Sequence, residues 1–370
     1  MPQKDAIEVS RFDDWAGGMA TSRQNFFIKL GRVETRWLAE RLHAHPIDRP
    51  IYIAGMARSG STILLETLEH HAQTASHRYR DYPFALAPVT WNAFLDKAAT
   101  HPVEPVERAH RDRIKITPES PEAIEEMVWA AFFPNAHDPG TDNTLDATHR
   151  HPEFETFYRD HIRKILLLRG GTRYLAKGNY NVLRLQYLQK LFPEALFVIP
   201  IRDPIEQVAS LMKQHRLFVT AQRHNPAVLR YLQRLGHYEF GLDRRAVNVG
   251  NPATVEKIQQ CWLAGEEARG LAASWASLYG YVADLIGSDT RLSRQTFITH
   301  YDELCRNPIA VLSRLFWHCQ LDITQEQLSA HASRISKPTY YTPNLSSTER
   351  SAIREETQDV YRRLLAHSLT

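Results

Sequence analysis

Residues 49–71, RPIYIAGMARSGSTILLETLEHH, constrain the fold of this chain more than any other stretch. An apolar run, Ile51-Tyr52-Ile53, gives onto a loop of small residues from Gly55 to Thr62. Beyond it Leu64, Leu65 and Leu68 share one helical face, so the order predicted is strand, loop, helix. The loop composition has a physical reason. Unpaired N–H groups and the dipole at a helix N-terminus attract anions, and a loop without bulky side chains can wrap a phosphate there. Gly55 and Gly60 allow close approach, Ser59, Ser61 and Thr62 add hydroxyl groups, and Arg58 adds a cation.

Compared with the ATP/GTP loop GxxxxGK[ST], GMARSGST keeps both glycines and the final Thr62 but has Ser61 in place of the lysine. That lysine reaches the β- and γ-phosphates, so its absence argues against ordinary triphosphate hydrolysis. A second stretch, residues 195–215, ALFVIPIRDPIEQVASLMKQH, repeats the plan. An apolar strand ends at Arg202, and a helix opens with Asp203 as N-cap and Pro204 at its first position. Ile205, Val208, Ala209 and Met212 make its buried stripe, and Ser210 lies off it. Arg202 thus falls at the carboxyl end of a strand, where open α/β sheets bind ligands.

Together the two stretches resemble the sulfotransferases that use 3′-phosphoadenosine 5′-phosphosulfate (PAPS), most closely the tyrosylprotein-type and related bacterial branch. The residues that carry the resemblance are Arg58-Ser59-Gly60-Ser61-Thr62 and Arg202 with Ser210. It implies a central parallel sheet flanked by helices, an α/β fold like that of the nucleotide kinases, and PAPS as sulfuryl donor with no metal. It also implies that the loop from Gly55 holds the 5′-phosphosulfate and that Arg202 and Ser210 hold the 3′-phosphate. Lys177, after a short strand at 173–176, matches the lysine that contacts the sulfuryl oxygens, and Tyr301 in HYDELCRNP matches a tyrosine near the adenine. Lys337 matches a late basic residue closing over the donor. The family's glutamate base, counted from Arg58, falls on Tyr79. The nearest alternatives are Asp81, which we favour, and then His77, at the end of a second strand expected beside the first.

The rest of the chain bounds the reading. With a formal charge of +3 and no block of like charges, nothing points to nucleic acid. Three cysteines without C-x-x-C spacing read as reduced, and no apolar run reaches membrane-span length, so a cytoplasmic address is expected. Residues 24–43 read as an amphipathic helix packed on the sheet, within an N-terminal helical extension, 1–48, of a single domain. Segments 88–150 and 218–265 read as insertions on the acceptor side, or as a lid or homodimer surface. His149 and His151 lack a third metal ligand nearby. Arg78, Arg80, Arg169 and Arg173 hint at an acidic or polar acceptor; sugar, lipid, peptide and small alcohol acceptors all stay open. Two rival readings also stand: an ATP–Mg²⁺ kinase using Arg58 for the missing lysine, and a non-catalytic nucleotide-binding protein.

Overall fold

The computed structural model describes residues 7–98, 104–110, 114–337 and 344–368. Its strands are β1 (Ile51–Ala54), β2 (Thr74–Ala75), β3 (Val106–Glu107), β4 (Lys115–Ile116), β5 (Arg173–Gly178), β6 (Leu196–Ile201) and β7 (Thr296–His300). Five form a parallel sheet in the order β2-β5-β1-β6-β7, while β3 and β4 pair as a small antiparallel ribbon. The first ten helices are α1 (Arg11–Ser22), α2 (Gln24–Trp37), α3 (Ala39–His43), α4 (Ser61–Glu69), α5 (Pro88–Ala98), α6 (Glu126–Phe132), α7 (Pro152–Arg169), α8 (Leu185–Leu191), α9 (Pro204–His224) and α10 (Pro226–Leu235).

The apolar runs of β1, β5 and β6 are buried throughout, as expected for parallel strands covered on both faces. Alternation along β1 divides the core in two. Ile51 and Ile53 pack with Leu64, Leu65 and Leu68 of α4 and with the helix Pro308–His318, whereas Tyr52 and Ala54 pack with α7, α9 and the helix Glu267–Ser288. Trp275 and Tyr279 of that last helix are fully buried.

Three sequence expectations need correction. The second strand does not lie beside the first, because β5 inserts between them and β2 forms the sheet edge with two residues. Residues 24–43 divide into α2 and α3 in place of one helix, and α1 precedes them within the helical extension. On α2, Phe27 is buried, but Phe26, Val33 and Trp37 point to solvent rather than to the sheet. The cysteines are free, Cys261 and Cys319 buried and Cys305 partly so.

Candidate active site

The loop from β1 to α4 turns through two left-handed residues, Arg58 at φ 70° and Gly60 at φ 102°. A Cβ at Gly60 would stand 2.7 Å from the Tyr301 ring, so this close approach requires glycine as well as the backbone conformation. The conformation of Arg58 carries its side chain toward α9, where its Nε donates to Ser210 Oγ at 3.1 Å. Gln207, one turn before Ser210, braces the same loop. Its amide donates to the Ala57 carbonyl at 3.0 Å while its oxygen accepts from the Trp275 indole at 3.0 Å.

The second motif forms as its capping chemistry predicts. Asp203 Oδ1 accepts from Ile205 N at 2.8 Å and Glu206 N at 3.3 Å, opening α9 at the end of β6. Arg202 lies with Cζ 4.9 Å from the centre of the Tyr301 ring and bonds Glu206 at 3.1 Å, and its buried Nε has no hydrogen-bond partner. Lys337 Nζ bonds Glu206 at 2.6 Å and Asp302 at 3.0 Å. A partnerless buried guanidinium N–H beside a ring is chemistry suited to an incoming anion. With the glycine cradle at 60, these residues fit a nucleotide carrying a phosphate at each end.

Lys177 sits at the carboxyl end of β5, in register with Ile53 of the neighbouring strand. It is 9% exposed, and burial, offset by Glu122, pulls its pKa below the ordinary lysine value, with Arg108 and Arg58 pushing the same way. Glu122 reaches this point from the segment after β4. Burial alone would raise its pKa, but the Lys177 charge, the Ala123 N–H, the Tyr79 hydroxyl and Arg108 together hold it at about 2. Tyr79, pushed far upward by burial and by Glu122, stays protonated and donates to that carboxylate. Arg108 Nη1 donates to Thr62 Oγ1 of the loop at 3.2 Å. On the far side His237, bonded to Glu239, is raised above the usual histidine value: burial opposes its charge, and the Glu239 carboxylate outweighs burial. Tyr79, Arg108, Glu122, Lys177 and His237 line one cavity of about 1410 Å³ that includes Arg58, Ser61 and Thr62.

Asp81 and His77 do not line this cavity. His77 Nδ1 lies 3.1 Å from Asp81 Oδ2, its Nε2 lies 3.0 Å from His161 Nε2, and Asp81 also accepts from Asn92, Arg169 and the Arg78 N–H. Both are buried, so the side chains singled out as bases turn into the packing against α5 and α7. The network nevertheless supports the site. The His77 carbonyl accepts from Glu122 N at 2.9 Å, and the Tyr79 N–H donates to the Ser120 carbonyl at 3.1 Å. Burial disfavours the Asp81 carboxylate, but His77, Arg169 and Asn92 outweigh it and hold its pKa well below the usual range. A carboxyl depressed in the fold contributes stability above its unfolded pKa and loses it as pH falls. Melting curves should therefore drop from about pH 4 downward, and Asp81→Asn should lose about 3–5 kcal/mol at pH 7, read as a lower Tm.

Sequence reasoning missed Glu122, Arg108 and Gln207. Of the four arginines suggested for an acidic acceptor, Arg78 and Arg80 pair with Glu119, Arg169 pairs with Asp81, and Arg173 bonds the carbonyls of Arg49 and Cys319. His151 caps α7, accepting from Phe154 N, and His149 bonds Asp146.

A glycine-rich turn at the end of the central strand, with a second basic strand end beside it, defines an α/β protein of the phosphate-loop class. The sequence matches the profile of the sulfotransferase family over residues 50–248, and the chain belongs to that family. Its fold is similar to that of sulfotransferase STF9 from Mycobacterium avium, at 15% identity, covering 90% of this chain and 80% of that one with a TM-score of 0.50. Sulfotransferase STF1 from Mycobacterium tuberculosis aligns at 16% identity over 96% of this chain and 99% of that one, with a TM-score of 0.47. No curated protein matches the sequence with significance. Among the described residues, no helix is long and apolar enough to cross a membrane.

Proposed function

We propose that the chain transfers a sulfuryl group from PAPS to a hydroxyl or amine of an acceptor. When bound, PAPS supplies the sulfuryl group and departs as 3′,5′-adenosine bisphosphate. The loop from Gly55 to Thr62, with its backbone N–H groups and hydroxyls, would hold the 5′ end. Arg202, Ser210 and Lys337 would hold the 3′-phosphate, and Tyr301 would lie by the adenine.

The observation that carries the reading is the opposed pair Lys177 and Glu122, joined by Arg108 and Arg58 at the edge of the phosphate loop. Group transfer of this kind asks the protein for alignment and for positive charge where negative charge spreads. Lys177 and Arg58 provide the charge. Glu122 provides a carboxylate to take the acceptor proton, at the place where Tyr79 occupies the position of the family glutamate and bonds the substitute. Once Lys177 turns to the sulfuryl oxygens, the charge that most lowers the Glu122 pKa is withdrawn, and its proton affinity rises toward that of an ordinary carboxylate.

The experiment is a thermal shift with 3′,5′-adenosine bisphosphate, 5′-AMP, and ATP with and without Mg²⁺. A ligand at ~100 times its Kd adds about 2.7 kcal/mol, so stabilisation by the bisphosphate in excess of 5′-AMP is the expected result. Stabilisation by ATP–Mg²⁺ alone would sink the reading in favour of a kinase. Arg202→Ala should weaken the bisphosphate about 10- to 100-fold and leave 5′-AMP nearly unchanged, because it removes charge-assisted hydrogen bonds to one phosphate. Titration calorimetry with the two nucleotides checks this.

A further inference from the structure

The floor and the rim of the cavity differ in chemistry. Lys177 and Arg108 at the floor are 9% and 6% exposed, whereas Phe12 and Val106, which also line it, are 56% and 58% exposed. The exposed end thus carries apolar side chains beside the carboxylates of Glu8, Glu107 and Glu119, while the buried charges lie at the floor. Trp91 lines the same opening, and its indole N–H is already donated to the Arg80 carbonyl at 2.7 Å, so it offers an acceptor no polar group.

The apolar rim continues outward on both sides. Phe12 meets Trp15 with ring centroids 6.0 Å apart, and Trp91 stacks on Phe94 at 5.5 Å and 19°. Trp15 is 62% and Phe94 57% exposed. Single exposed aromatics are ordinary on a protein surface, but a group of them around the entrance to a charged floor makes a patch of the kind that binds apolar ligands. The nearby arginines do not change this, since Arg80 pairs with Glu119 and Asp96.

We infer that the acceptor is an amphiphile. Its hydroxyl or amine reaches Glu122 at the floor, and its alkyl body lies along Phe12, Trp15, Trp91 and Phe94. The inference rests on the sulfuryl-transfer reading for the role of the floor, but not for the apolar rim. It favours a lipid-like alcohol over a free sugar, which has no alkyl body to bury along the aromatic flank.

The test is calorimetric titration of the enzyme, with and without saturating 3′,5′-adenosine bisphosphate, using primary alkan-1-ols of four to ten carbons and, separately, glucose. Kd is expected to fall about two- to fourfold per added methylene, up to full burial of about 0.8 kcal/mol each, and glucose to bind more weakly than hexanol. The double variant Trp15→Ser/Phe94→Ser, altered at mostly exposed positions, should flatten that slope and keep the wild-type affinity for the bisphosphate. A flat slope in the wild type, an unchanged slope in the double variant, or tighter binding of glucose than of octanol would overturn the amphiphile. A steep slope that the double variant flattens, in a protein that ignores the bisphosphate, would keep the amphiphile site and sink the sulfuryl reading instead.

Discussion

Lys177→Ala should lower kcat about 10²- to 10³-fold while leaving the Kd for 3′,5′-adenosine bisphosphate within about threefold of wild type. Removing one preorganised charge from a transition state typically costs that much, whereas the contacts proposed for the phosphates lie on the loop and on α9. Single-turnover rates with PAPS and calorimetry with the bisphosphate separate the two effects. A parallel loss of affinity would mean that Lys177 binds the ground state and does not act on the transferring group. The pH dependence supplies a second readout. Burial lowers the Lys177 pKa, so its charge, and with it kcat/KM, should be lost at a pH below that of an ordinary lysine, near 10.4. Lys177→Arg retains its charge across this range, so whatever activity it keeps should not fall along that alkaline limb.

Glu122→Gln is the second large effect, with kcat expected to fall about 10²- to 10⁴-fold, the usual range for a general base. The amide keeps the shape of the side chain and can still meet the Tyr79 hydroxyl, so the fold should survive. Because Glu122 is held at about 2 in the free protein, wild-type kcat/KM should stay level as pH falls from 7 toward 5 and show no acidic limb there. His77→Gln and Asp81→Asn should act differently, lowering Tm and slowing turnover only as far as the 118–122 segment loses its backbone partners. Should Glu122→Gln retain near-wild-type turnover while either of those abolished it in a folded protein, the base would have to be reassigned.

The contrast between Glu122 and Asp81 shows what could be read from the chain alone. Loops and helix starts are local: Gly60, Asp203 and Pro204 announce their conformations through steric and capping rules within a few residues, so the phosphate loop and the Arg202 strand end were legible. Family membership of residues 50–248 agrees with the resemblance drawn from those motifs. Strand order is not local. Nothing in residues 74–75 tells that β5 will come between them and β1, and the expectation that the two strands lie side by side failed on that point. Side-chain direction is no more local, since Asp81 follows Tyr79 by two residues yet turns into α5 and α7. Glu122 and Arg108 belong to a stretch broken by prolines, without the periodicity that marks an element, and the fold alone brings them to Lys177.

The hydrogen bonds of Gln207 bear on how this site would pay the thermodynamic cost of recognition. A single amide ties the carbonyl of the phosphate loop to the first turn of α9 and to a tryptophan of the core, so the two halves of the pocket are parts of one body before any ligand arrives. Little ordering is then left to be done on association. Amide exchange in the loop around Ala57 should be slow in the free protein and nearly the same when it is loaded, and cutting that tie with Gln207→Ala should expose the loop to exchange while leaving the side chains of Arg58, Arg202 and Ser210 intact.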